Sequence, residues 1–179
     1  LKSAVGIFDA KDREFYEIGD QQLVSLNQDG PIAGHYMQVD GGAVLTNAKS
    51  SNQRTLFKTH TIIEYDATGS HHQVVILENK QDGNVVAINK DEDTVIAKVN
   101  IISLISSSKP HLYNTLEEVR AEHPEALFYK VPREPGCVKF YFKSYLKDKQ
   151  RILGFDDYGN ALDPTQVQPG QSESLFQMM

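Results

Sequence analysis

The chain lacks tryptophan altogether and carries a single cysteine, Cys137. One cysteine cannot close an intramolecular disulfide, which excludes a disulfide-stapled scaffold and suits folding in a reducing compartment. No apolar run approaches the roughly 18 residues that a membrane-crossing helix needs, so no membrane insertion is expected. Positive charge is also short: 18 Lys and Arg against 24 Asp and Glu leave a net charge of −6. The average surface therefore opposes phosphate backbones, heparin-like polyanions and anionic lipid, and nucleic acid is not an expected partner. The densest basic stretch, Lys143, Lys147, Lys149 and Arg151, is interrupted by Asp148 and followed by Asp156 and Asp157, and reads as a solvated hairpin end. Leu1 stands where an initiator Met would, which leads us to expect a processed or trimmed product.

What the 179 residues do contain is enough for one domain with a core. Short apolar runs between Gly, Asp and Asn turns predict strands. Twelve can be drawn, at 23–26, 35–39, 43–46, 55–65, 73–78, 85–89, 94–100, 126–131, 137–145, 151–155, 160–163 and 174–178. The fourth run of each group of four shares a kernel: TLFK at 55–58, ALFY at 126–129 and SLFQ at 174–177. Linkers recur too, as LNQDG, NKQDG and LKDKQ after the first runs, and as VDGG, NKDED and DDYGN after the second. Repetition in constant order predicts an all-β chain, a β-trefoil of twelve strands in three pseudo-repeats, over a sandwich or Greek-key barrel.

The trefoil domain is placed at 21–179, with residues 1–20 as an N-terminal extension that adds a strand or packs across the barrel. NTLEEVRAEHPE at 114–125 predicts one short loop helix, capped by Asn114 or Thr115, stopped by Pro124, and covering one end of the barrel. In GCVKFYFKSY, Val138, Phe140 and Phe142 are expected to face inward, and Cys137, Lys139, Tyr141 and Lys143 outward.

Reactive groups do not converge in the sequence. Cys137 has no nucleophile-elbow signature around it. His71 and His72 are adjacent, so on a strand they face opposite sides, and although His60 could join one of them across strands, no carboxylate or Cys spacing completes a site. Asp91, Glu92 and Asp93 lack the ordered oxygen positions and the glycine of a calcium loop. The expectation is a protein that is not an enzyme, with no catalytic residues, metal or cofactor.

The run ALFYKVPREPGCVKFYFKSY, then ILGF and the ending ESLFQMM, resembles the C-terminal third of the interleukin-1 superfamily of β-trefoil cytokines. Its members commonly carry a strand ending in Phe, any residue, Ser, here Phe142, Lys143 and Ser144. AKVNIISL at 97–104 looks like the family's seventh strand and its exit, and the overall spacing is most similar to the interleukin-18 and interleukin-33 branch. Where many members have Pro and an aromatic residue after that Ser, this chain has LKDKQR. The resemblance implies a secreted, non-enzymatic ligand, monomeric before it binds. Its target would be an immunoglobulin-domain receptor of the interleukin-1 receptor type, with an accessory receptor chain, in inflammatory and immune signalling. It also implies release without a signal peptide, from a cytoplasmic or nuclear precursor trimmed at its N-terminus.

Exposed polar loop residues supply the receptor-contact candidates: Asp29, His35, Asp40, Lys49, Asp91, Glu92 and Asp93. Asp20, closing EIGD, is the candidate processing position for a caspase-type protease. Two alternatives stand beside this reading, an intracellular trefoil scaffold module and a fibroblast-growth-factor-like ligand. VQPGQSESLFQM is similar to the latter family's segment before its last strand, but Gln166, Gln168, Gln171 and Glu173 stand where heparin binding needs cations.

Overall fold

The computed structural model describes residues 4–8, 14–27, 34–99 and 118–179. Among them, twelve strands join in one antiparallel sheet. These are β1 (Ala4–Phe8), β2 (Glu14–Gln21), β3 (Leu23–Ser25), β4 (Tyr36–Asp40), β5 (Ala43–Ala48), β6 (Phe57–Tyr65), β7 (His71–Asn79), β8 (Val85–Asn89), β9 (Thr94–Lys98), β10 (Phe128–Pro132), β11 (Phe140–Ser144) and β12 (Phe176–Met178).

Antiparallel pairing runs β6, β7, β10, β11, β12, β3. β2 takes the other edge of β6, and only Gln22 separates β2 from β3. The ring thus closes through one stretch of chain, which turns where Asp20 adopts a φ of 56° and the pairing register slips between Ile18 and Gln21. The boundary expected between extension and domain falls inside β2.

One local conformation recurs before each Leu-Phe kernel. Gln53–Thr55, Pro124–Ala126 and Ser172–Ser174 are 3-10 turns, leading directly into Leu56-Phe57, Leu127-Phe128 and Leu175-Phe176. Each kernel Leu carbonyl accepts a backbone bond from further along the ring: Leu56 from Lys80 at 2.9 Å, Leu127 from Tyr145 at 3.0 Å, and Leu175 from Leu26 at 2.9 Å. The three Phe side chains are fully buried in one core with Leu23, Val75, Leu77, Phe140 and Phe142.

The hairpins β4–β5 and β8–β9, with Leu153 and Phe155, pack their apolar residues into that core and close one end of the ring. They touch one another through the Ala97 amide on the Gly42 carbonyl and the Thr46 amide on the Gly159 carbonyl, both 2.9 Å. Gly159 has a φ of +83°, and a Cβ there would lie 2.8 Å from backbone atoms of Thr46 and Asn47. Gly159→Ala should therefore lose about 1–3 kcal/mol from backbone strain, with the clash adding to it. Urea denaturation measures this, and an unshifted midpoint would mean the turn yields freely.

Several sequence expectations change. The runs at 151–155 and 160–163 form only isolated bridges, Lys143 with Ile152 and Phe155 with Ala161, while β1 and β2 come from the extension. The cause is local: Gly154 sits against Val167, and Asp156 folds a turn by accepting from the amides of Tyr158 and Asn160. Val138 is 69% exposed rather than inward, because a turn from Glu134 to Cys137, with Gly136 at a φ of 78°, consumes the start of the run. Arg151 is not solvated: its side chain is fully buried, bonded to Asp148 at 2.8 and 3.0 Å and to Asp93 at 2.8 Å.

Residues 118–122 are helical and Pro124 ends them, as expected, while the caps Asn114 and Thr115 lie outside the described residues. The helix covers the side of the barrel rather than its end. Val119 packs with Ile62, Val74 and Ile76, which alternate with the inward residues of β6 and β7.

Candidate functional site

With one end closed by hairpins, the opposite rim collects three of the described cavities, while a fourth lies beside the β8–β9 hairpin. In β10, period-two alternation turns Phe128 and Lys130 inward and Tyr129 and Val131 outward. Lys130 lies opposite Gln73 of β7 and Phe142 of β11. Gln73 and Lys130 border three cavities. The first, of about 480 Å³, opens along the outer rim between His72, Tyr129, Tyr141, Lys143 and Lys147. Another, of about 370 Å³, enters the barrel past Thr59, Thr61 and Leu77, and the third, of about 380 Å³, lies beside Cys137 and Val138.

The outer rim carries an aromatic shelf. Tyr129 and Tyr145 stack with centroids 5.1 Å apart and planes inclined by 27°. The Lys147 ammonium lies 4.4 and 4.5 Å from the two centroids and donates to the Tyr129 hydroxyl at 2.6 Å. His72 meets the edge of Tyr129 at 6.2 Å. Behind the shelf, Tyr145 Oη donates to Glu64 Oε1 at 3.3 Å, and Arg120 pairs with the same carboxylate. Burial, and then the Glu64 charge, pushes the Tyr145 hydroxyl up to about 12, and the same two causes raise Tyr129. Both remain neutral phenols at physiological pH, able to donate or accept a hydrogen bond beside a cation. No sequence pattern announced this shelf, because its partners lie on β10, on β7 and just after β11, and meet only once the register is known.

The residues singled out in the sequence are dispersed. Asp29 lies outside the described residues, and Lys49 is exposed after β5. His35 precedes β4 half-buried, with its Nδ1 buried and without a hydrogen-bond partner among the described residues. Asp40 pairs with Arg54 at 2.5 Å. Asp91 and Glu92 are exposed in the β8–β9 turn, their amides facing the Asn89 side chain at 3.1 and 3.3 Å. Asp93 faces across to the third hairpin region, bonded to Lys149 at 2.9 Å and to Arg151. Those two contacts, Lys149 first, hold its carboxyl below the usual range. Asp20 is exposed and pairs with Lys80.

Among the described residues no group of three or more His, Cys, Asp or Glu is arranged to hold a metal ion. His60 is buried against Glu78, 2.7 Å away, and Cys137 is a half-exposed free thiol.

An antiparallel ring capped at one end by hairpins, all-β among the described residues but for one short helix, defines a β-trefoil-like fold. The chain is similar to the solved structure described as "BEL beta-trefoil" in an apo crystal form. The TM-score is 0.55 at 13% identity, over 89% of this chain and 91% of that one. No family model matches the sequence, and no curated protein does.

Proposed function

We propose that the chain is a non-enzymatic, cytokine-like ligand, secreted and acting by docking on an immunoglobulin-domain receptor of the interleukin-1 receptor type. The frame behind this reading is a trefoil of three related units, supported by the 3-10 turn that precedes Leu-Phe at each of three places. The observation that carries the docking role is the shelf of Tyr129, Tyr145 and Lys147 on the rim. Tyrosines held rigidly by stacking offer large contact area at low entropic cost, which is why tyrosine is enriched among residues that dominate interfaces. The exposed Asp91 and Glu92 are read as peripheral charges that steer partner choice, whereas Asp93 is committed to Lys149 and Arg151.

The test is surface plasmon resonance of the purified protein against a panel of interleukin-1-receptor-type ectodomains, alone and with accessory chains. Binding to one ectodomain is expected, with Tyr129→Ala weakening it at least roughly thirtyfold, the scale of a dominant interface residue. Silence across the panel would overturn the proposal, and binding indifferent to Tyr129→Ala would remove the shelf from it.

A further inference from the structure

The cavity inside the open end of the barrel has a composition unlike the rest of the core. Its wall includes Ile63, Val75, Leu77 and Phe142, buried apolar residues on the inward faces of β6, β7 and β11. Set among them are the buried polar side chains of Thr59, Thr61 and Gln21, of which Thr59 Oγ1 donates to Gln21 Oε1. The one cation in this lining is Lys130, half-buried, with its ammonium 4.6 Å from the centroid of Phe140. No carboxylate pairs with it among the described residues. Burial alone pushes its ammonium below the ordinary lysine value, which is what a cation without a counter-ion undergoes.

An unpaired cation in an apolar enclosure is costly to hold, and an anion brought beside it relieves that cost. A single positive charge matches a monoanion, the apolar wall matches a hydrocarbon body, and hydroxyl and amide groups in the same lining can share hydrogen bonds with an oxyanion. A volume of about 370 Å³ is within the range of small-molecule sites. We infer that this cavity binds a small amphipathic carboxylate, of the medium-chain fatty-acid kind, with the carboxylate on Lys130 and the chain directed between Thr61, Val75 and Leu77. The site shares Gln73 and Lys130 with the cavity at the Tyr129 shelf but lies on the inner side of the barrel wall, and it does not depend on any receptor.

Isothermal titration of the full chain with decanoate, decanol and inorganic phosphate, each alone, tests the inference. Decanoate is expected to bind at least about tenfold more tightly than decanol, and phosphate not detectably. Lys130→Met keeps most of the side-chain volume and should abolish that preference, while Lys130→Arg should keep it. Amide spectra of the unmodified protein give a second readout that needs no variant, with decanoate shifting Thr59, Thr61, Val75 and Leu77. Absence of decanoate binding, equal binding of decanol, binding of phosphate as tight as that of decanoate, survival of the preference in Lys130→Met, or shifts confined to Tyr129 and Tyr145 would each overturn it.

Discussion

Phe142→Ala should lower the thermal midpoint by about 6–20 °C, the largest effect expected of any single side-chain truncation in the barrel. Phe142 is fully buried, and its ring contacts three others at centroid distances of 6.4 Å to Phe128, 5.2 Å to Phe140 and 5.5 Å to Phe176. Those rings come from three adjacent strands, so no single neighbour can move in to fill the space. Phe-to-Ala truncation in such a setting costs about 3–5 kcal/mol, a large part of the roughly 5–15 kcal/mol that holds a domain folded. Val138→Ala is the control: its side chain is 69% exposed, and the change should stay within about 0.5 kcal/mol. Calorimetry of both variants decides the matter. Equal midpoints for the two would show that the ring cluster is not the centre of the core.

Arg151→Met should also destabilise the protein, by about 5–10 °C in midpoint, and it should change the response to acid. The guanidinium joins Asp148, just beyond β11, to Asp93 in the β8–β9 turn, so its loss unties two hairpin regions. The Arg151 hydrogen bond is the main reason the Asp148 carboxyl lies at about 2. A carboxyl whose folded value lies below its unfolded one binds fewer protons when folded. Its contribution is therefore complete above about pH 4 and is lost as pH falls toward about 2. Melting curves from neutral pH down to pH 2 should fall more steeply in that window for the unmodified protein than for Arg151→Met. Parallel acid limbs would show that the Arg151 cluster is not what titrates.

Some of this architecture could be read directly from the sequence and some could not, for physical reasons. The Leu-Phe kernels were readable because each marks the same local event, a 3-10 turn that delivers a Phe to the core. Val138 departs from the alternation because strict alternation holds only once a strand has begun, and the turn at Glu134–Cys137 delays β11 to Phe140. Arg151 reads as a surface cation, since nothing nearby in the chain shows that Asp93 will arrive beside it. Lys130 was within reach: FYKV places it two residues after Phe128, hence on the inward face. What the sequence withheld was that no acidic partner meets it among the described residues.

The way the ring closes also sets an order of events. Met178 pairs with Leu23, and the Gln22 and Met179 backbones exchange bonds of 3.3 and 2.8 Å, so the seam joins residues far apart in sequence. Pairings of such long range are slow, because loop entropy is spent before the contacts return it. A nascent chain that has not reached β12 presents β3 and β11 as unpaired edges, the kind of surface on which strands from other chains add. Arrival of Phe176–Met178 is thus the step that covers these two edges.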